Sequence, residues 1–169
     1  MKHLRLFAFL FCVLLCGLSY SQKTQKKFIT KNTDYGMLYF VHAQTLCKSK
    51  ALVCEFDQTI RTWSDTVSIG VTVTTNETFK VDSVMIDLNS HSVTRNVEHI
   101  YTEPYKKKWK CRFFVYATME EAKKILSAPL PTVRFYGKGI EKSAHIKQKQ
   151  WNNIVKIDND ILYQVELNK

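Results

Sequence analysis

The sequence lacks the short motifs that mark the common catalytic and ligand-binding sites. It contains no G-x-S-x-G, no H-E-x-x-H, no C-x-x-C and no glycine-rich loop of the kind that holds phosphate. The histidines His42, His91, His99 and His145 do not have the spacing of a zinc site. The sequence therefore predicts no catalytic residue, no metal ligand and no cofactor from a motif.

The sequence has one long apolar run, Leu6–Leu18, and this run is too short to cross a membrane. Its thirteen residues carry no charge, whereas a membrane-spanning helix needs about 20 apolar residues. Lys2 and Arg5 precede the run, and Ser19-Tyr20-Ser21 supplies small residues after it, which is the pattern of a signal peptide. We therefore expect a signal peptide over residues 1–21 and an exported protein that is periplasmic or secreted.

Two processing sites are compatible with this pattern. Cleavage after Ser21, which leaves Gln22 as the first residue, is the expected event. The alternative is lipid attachment at Cys16, because Leu14-Leu15-Cys16-Gly17 resembles the bacterial lipobox. The resemblance is incomplete, since a lipobox has a small residue directly before the cysteine and this chain has Leu15.

Acidic residues are fewer than basic ones. The chain has 25 Lys and Arg against 15 Asp and Glu, and the signal removes only Lys2 and Arg5, so residues 22–169 keep a net charge of +8. This balance favours an acidic partner, either an anionic envelope component or an acidic protein, while nucleic acid is not expected. The alternative is that the charge serves solubility.

Three cysteines follow the signal, an odd number for an exported protein that forms disulfides. Cys54 and Cys111 each alternate with large apolar residues, so both are expected to point into the core. A Cys54–Cys111 disulfide is therefore open geometrically. A tight turn at Lys48-Ser49-Lys50 is expected to set Cys47 out of register with Cys54. The alternative is that all three cysteines are buried thiols.

Alternation of apolar and polar residues predicts β-strands with one buried face along most of the chain. The pattern is most regular from Val67 to Val73, where apolar residues alternate with Ser, Gly and Thr. Turn residues recur every ten to fourteen positions, as they do in an antiparallel meander. The predicted strands lie around residues 37–41, 52–60, 67–73, 79–88, 93–101, 109–115 and 133–135.

Two segments near the end of the chain have helical spacing. Thr118 and Glu121 have the spacing of a capping box, which predicts a helix that begins there and ends before Pro129. A second helix is predicted over residues 146–155. After the turn residues Asn159-Asp160, a last strand is predicted from the alternation of Ile161, Tyr163, Val165 and Leu167.

The predicted fold class is mainly β, with one or two late helices. A flexible basic lead is expected over residues 22–34, followed by a single β-rich domain over residues 35–169. The antiparallel meander is expected to form an immunoglobulin-like β-sandwich. The alternative is a small closed β-barrel.

The segment from residue 105 to residue 112 carries four lysines and one arginine in eight residues. Positive side chains in this density suit phosphate or carboxylate groups, and an aromatic ring suits stacking. We therefore predict a site for an anionic partner. The alternative is the solvated outer face of an ordinary strand, whose charges protect a sheet edge. The candidate residues are Tyr105, Lys106, Lys107, Lys108, Lys110 and Arg112.

Three functions follow from these patterns. The first is a non-enzymatic binding module at the bacterial cell envelope, because the chain combines a signal, a β-rich core and basic segments without a catalytic motif. The second is a carrier that holds a small apolar ligand inside a barrel. The third is a small envelope enzyme whose residues converge only in three dimensions, with His91, His99 and Asp87 as candidates. The first is the expected function.

Overall fold

The computed structural model describes residues 27–89 and 91–168. The signal peptide predicted over residues 1–21 lies outside the described residues. The expected cleavage between Ser21 and Gln22 and the alternative lipid attachment at Cys16 lie outside them as well, as do residues 22–26 of the basic lead.

Strands dominate the described part of the chain, and two helices follow late in the sequence. The helices are α1 (Met119–Ser127) and α2 (Gln148–Leu167). The strands, in chain order, are β1 (Phe28–Thr33), β2 (Gly36–Lys48), β3 (Leu52–Arg61), β4 (Thr66–Thr75), β5 (Ser83–Asp87), β6 (Ser92–Asn96), β7 (Glu98–Tyr105), β8 (Lys108–Thr118), β9 (Thr132–Gly137) and β10 (Ile140–Ala144).

The strands pair into two antiparallel sheets. The first sheet has six strands in the order β1-β2-β3-β4-β8-β7, and the second sheet has four in the order β10-β9-β5-β6. This mainly β, two-sheet architecture confirms the prediction of a β-sandwich. Among the described strands each sheet keeps two open edges, β1 and β7 in the first and β10 and β6 in the second. The alternative of a closed barrel is therefore wrong.

The second sheet covers one end of the inner face of the first sheet. Cys54 of β3, Val73 of β4 and Phe113 of β8 are buried there in one apolar cluster with Val84 and Phe135 of the second sheet. The rings of Phe113 and Phe135 meet edge to face, with centroids 6.2 Å apart. Alternation along β3, β4 and β8 places this apolar set on one side because successive strand residues point to opposite faces.

Helix α2 covers the other end of the same face. Tyr39 of β2 and Ile60 of β3 pack in a second apolar cluster with Ile161 and Val165 of α2. The beginning of α2 belongs instead to the cluster between the sheets, through Trp151 and Ile154. The helix therefore joins the two apolar clusters.

Helix α1 begins as the capping box predicts. Thr118 is its N-cap, and the Thr118 hydroxyl accepts a hydrogen bond from the Glu121 backbone N–H at 3.1 Å. The Glu121 carboxylate in turn accepts from the Thr118 backbone N–H at 3.0 Å. Both bonds satisfy amides that a helix start leaves without partners. The predicted start of this helix is confirmed.

The last strand predicted over residues 161–167 is wrong, because α2 continues to Leu167. The buried residues of α2 recur at spacings of three and four residues, which suits a helix that lies on an apolar surface. Ile161 and Val165 satisfy this helical spacing and the alternating pattern equally, whereas Tyr163 and Leu167 are exposed. Burial of one side of the helix decides between the two patterns.

Part of the flexible lead predicted over residues 22–34 is a strand instead. Residues Phe28–Thr33 form β1, which pairs along its whole length with β2. Four of the six side chains of β1 are exposed. The segment therefore lacks the apolar alternation that would predict a strand from the sequence. Backbone hydrogen bonds to the edge of the first sheet hold it in place.

The strand register argues against the Cys54–Cys111 disulfide that the sequence left open. Both residues are buried, but β4 lies between them: Cys54 and Cys111 are each paired with Val73. Strands lie about 4.8 Å apart, so two strand spacings place the Cα atoms of the cysteines farther apart than the roughly 7 Å that a disulfide tolerates. The three cysteines among the described residues are free thiols.

Cys47 lies directly opposite Cys54, so the expectation that the turn sets these two cysteines out of register is wrong. Two register shifts in β2, between Val41 and Gln44 and between Thr45 and Cys47, bring the two cysteines into one pair. Extra residues in one strand cause such shifts. Burial raises the pKa of both thiols, which keeps them in the less reactive protonated form.

Oxidation of the protein should therefore join Cys47 to Cys54 and not Cys54 to Cys111. Trypsin cuts at Lys48 and Lys50, which separates the two cysteines into different peptides, so mass spectrometry without reduction will detect the link. The Cys47→Ser variant is the control and should leave Cys54 unlinked. A linked peptide that contains Cys54 and Cys111 would contradict the strand register.

Candidate functional site

The predicted basic segment forms the tip of the β7–β8 hairpin. Tyr105 pairs with Lys108, and Lys106 and Lys107 form the turn between them. Lys106 has a φ of 56°, a left-handed conformation that closes tight turns. The ammonium of Lys110 lies 3.7 Å from the centroid of the Tyr105 ring, and that of Lys106 lies 5.4 Å from it. The aromatic ring therefore holds two of the lysines close together.

The β2–β3 hairpin adds two lysines to this tip. The Lys108 ammonium donates to the backbone carbonyl of Lys50 at 3.1 Å. Lys48 and Lys110 lie in one cross-strand row of the outer sheet face, with one residue each of β3 and β4 between them. Glu103, opposite Lys110, is the acidic neighbour in that row. We call the combined group the lysine-rich end: Lys48, Lys50, Tyr105, Lys106, Lys107, Lys108 and Lys110.

Arg112, which the sequence assigned to the same site, is held apart by an ion pair. Its guanidinium donates to Asp57 at 2.9 and 3.1 Å and to the Thr72 hydroxyl at 3.0 Å. Gly70 makes room for this pair, because a Cβ there would come within 2.6 Å of Asp57 Oδ1 and 2.7 Å of Arg112 Nη2. The charge of Arg112 is thus already matched within the sheet.

The residues proposed for an enzyme are divided between the two sheets, with Asp87 and His91 at the β5–β6 hairpin and His99 in the other sheet. His99 lies in β7 of the first sheet, where its Nε2 is 2.9 Å from the hydroxyl of Thr102. Asp87 lies at the end of β5 in the second sheet and accepts a hydrogen bond from the Asn89 backbone N–H at 3.0 Å. His91 lies in the turn that follows β5. Within residues 27–89 and 91–168, no three His, Cys, Asp or Glu side chains are grouped closely enough to hold a metal ion.

A buried carboxylate marks a second site, which the sequence did not predict. Asp158 of α2 is only 3% exposed. Its two carboxylate oxygens accept hydrogen bonds from the side-chain amides of Gln44, at 3.2 Å, and Gln58, at 2.7 Å. Burial raises the pKa of Asp158 to about 6, and the two amide hydrogen bonds oppose part of that rise. Gln44 Oε1 is buried without a hydrogen-bond partner among the described residues.

A cavity of about 120 Å³ adjoins this carboxylate. It lies between the two sheets and is bounded by α1 and the first half of α2. Apart from Gln58, Asp158 and the Cys54 thiol, its lining is apolar. The apolar lining includes Ile69, Val71, Ile125, Val133, Phe135 and Ile154.

The sequence contained partial signals for this second site. Gln58 falls on the inward parity of β3, with Cys54 and Ile60, so it is a polar residue at a core position. Asp158 continues the spacing of Trp151 and Ile154, which becomes visible once α2 is extended past Asn159. Gln44 gave no signal, because only the register shift in β2 turns it inward.

Comparisons of the chain with models of known protein families, with curated proteins and with solved structures find no match. Among the described residues, neither helix has the length and apolar character needed to cross a membrane. Two candidate sites are therefore defined by geometry: the lysine-rich end and the cavity beside Asp158.

The contribution of Asp158 to the free energy of unfolding should fall as the pH rises from about 4 to above 6. The pKa of Asp158 is about 6 in the folded protein against an ordinary value of 3.8, so the folded state binds the proton more tightly than the unfolded state. Ionisation of this buried carboxyl therefore costs about 3 kcal/mol of stability above pH 6, and the cost vanishes below both pKa values. Urea unfolding over this pH range measures it.

The Asp158→Asn variant, which keeps the shape of the side chain and removes its charge, should lose this part of the pH dependence. Asp160→Asn is the matched control, since Asp160 is an exposed carboxyl of the same helix and its replacement should leave the pH dependence unchanged. Identical pH profiles for the unaltered protein and the Asp158→Asn variant would contradict the assignment.

Proposed function

We propose that the protein is an exported, non-enzymatic binding module of a bacterial envelope, which attaches to an anionic lipid surface through its lysine-rich end. The observation that carries the proposal is the meeting of two hairpins, which brings six lysines to one end of the first sheet, two of them at the Tyr105 ring. The signal-peptide pattern of residues 1–21 supports the export. The net charge of +8 after the signal supports an anionic partner.

The type of basic residue favours a diffuse anionic surface. Lysine is a flexible point charge, whereas arginine is the side chain that recognises single phosphate or carboxylate groups with two parallel hydrogen bonds. The arginine of this segment, Arg112, is already engaged by Asp57. Each lysine near an anionic membrane contributes about 1 kcal/mol, so several lysines together support attachment without a shaped pocket.

The exposed tyrosine fits the same partner. Tyr105 is 42% exposed at the hairpin tip, and its ring has an apolar body and a polar hydroxyl. Tyrosine side chains are enriched at membrane–water interfaces for this reason. The cation contacts of Lys106 and Lys110 keep the ring among the charges that would face the lipid headgroups.

Replacement of Lys106, Lys107 and Lys110 by Gln should weaken binding to anionic vesicles roughly 10- to 100-fold at low ionic strength. Co-sedimentation with phosphatidylcholine vesicles that contain about one third phosphatidylglycerol measures this loss. The binding should also weaken with added salt, because salt screens exposed charges. All variants are compared in the same full chain, so that any insertion of the apolar run Leu6–Leu18 contributes equally.

The matched control replaces Lys80, Lys147 and Lys149 by Gln, three exposed lysines outside the lysine-rich end, so that the net charge changes by the same amount. This control should bind nearly as well as the unaltered protein. Equal losses in the two triple variants would contradict a localised site. Tighter binding to polyglutamate or to duplex DNA than to the vesicles would contradict a lipid partner.

A further inference from the structure

We propose that the cavity beside Asp158 binds a small molecule in which an apolar body of about six carbon atoms carries a hydrogen-bond-donating head, an alcohol or an ammonium. The site is distinct from the lysine-rich end, and the proposal does not depend on the lipid attachment. It combines an apolar chamber with polar acceptors at one place in its wall.

The acceptors decide the chemistry of the head. The Asp158 carboxylate accepts one hydrogen bond at each oxygen from Gln44 and Gln58, and each carboxylate oxygen has room for a further donor. Gln44, which holds Asp158 from outside the cavity lining, has a buried Oε1 without a donor among the described residues. The cavity lining contains no Lys, Arg or His, so a donor or a cation is favoured and an anion is repelled.

The cost of burying these groups argues against a simple packing gap. An apolar void needs only apolar walls, whereas a buried carboxylate and an unmet amide oxygen both cost free energy unless they are hydrogen-bonded. A ligand head that donates to Asp158, which lines the cavity, would use the remaining acceptor capacity of the carboxylate. The same arrangement places the ligand body against Ile69, Val133 and Ile154.

The volume sets the size of the ligand body. An engineered apolar cavity of about 150 Å³ in another protein binds benzene. The present cavity of about 120 Å³ is slightly smaller, so a single six-membered ring or a short alkyl chain is the largest body that fits without adjustment. Longer lipids are therefore not the expected ligands.

The path by which a ligand would reach the cavity runs between the two helices. Leu126 of α1 and Trp151 of α2 line both this cavity and a surface cleft of about 450 Å³ between the end of α1 and the beginning of α2. The Trp151 indole N–H donates to the Ala128 carbonyl at 2.8 Å and is held in place. Helix α1 has nine residues, and only Met119 among them is fully buried, so displacement of Leu126 with α1 is the less costly way to open the cavity.

The test is a series of cyclohexane derivatives with the unaltered full chain, followed by isothermal titration calorimetry and by the shift of the thermal unfolding midpoint. Cyclohexanol and cyclohexylammonium should bind at least about tenfold more tightly than methylcyclohexane, because the polar head gains a hydrogen bond. Cyclohexanecarboxylate should not bind. Comparison of the neutral alcohol with the charged ammonium separates the contribution of hydrogen bonding to the affinity from that of charge.

Two variants locate the binding. Asp158→Asn should lose most of the preference for cyclohexylammonium over methylcyclohexane, whereas the exposed-helix control Asp160→Asn should retain it. Ala122→Leu, which adds carbon atoms to the α1 wall of the cavity, should abolish binding of all members of the series.

Three results would overturn the proposal. The first is that neither the alcohol nor the ammonium binds the unaltered protein, and the second is that cyclohexanecarboxylate binds as tightly as they do. The third is that Asp158→Asn keeps the preference for cyclohexylammonium over methylcyclohexane. The ligand series with the unaltered protein tests the proposal even where a variant fails to fold. Loss of vesicle binding in the lysine variants has no bearing on this series, so the two proposals fail separately.

Discussion

The inner face of the first sheet is the constraint on which the rest of the structure depends. This face is apolar along β2, β3, β4 and β8, and the four strands of the second sheet cover only one end of it. Tyr39 and Ile60 at the other end require a different cover, which the second half of α2 provides. The helix must therefore run from one apolar cluster to the other, and this path explains its length of 20 residues.

The border between the two covers is where the buried polar cluster lies. Ile154 of α2 belongs to the cluster between the sheets, and Ile157 and Ile161 belong to the second cluster. Asp158 falls between them and meets Gln44 and Gln58 of the sheet. Because the amides donate to both carboxylate oxygens, they stabilise a charge that burial alone would disfavour. The cavity lies at this border, where the two sheets meet α1 and α2.

The two candidate sites use opposite faces of the same strands. In β8, Lys110 points to the outer face and Val115 lines the cavity on the inner face. In β3, Asp57 holds Arg112 on the outside while Gln58, the next residue, holds Asp158 on the inside. The alternation of a strand therefore separates a charged surface from a buried chamber without any additional element.

The sequence by itself determined the features that depend on neighbouring residues. Alternation located most strands, and Thr118 and Glu121 marked the start of α1, because both patterns act over a few positions. The basic hairpin from Tyr105 to Lys110 was also local. Only the tertiary structure decided the features that depend on strand order and register.

Insertion of β4 between Cys54 and Cys111 excluded their disulfide, and the register shifts of β2 placed Cys47 opposite Cys54 and turned Gln44 inward. Residues 28–33, which have little apolar pattern, form a strand because they pair with β2. Residues 161–167 form a helix because one side of this segment is buried against the sheet. The physical reason is the same in each case. Burial and pairing are contacts between distant parts of the chain, and they outweigh local preference where the local pattern fits two structures.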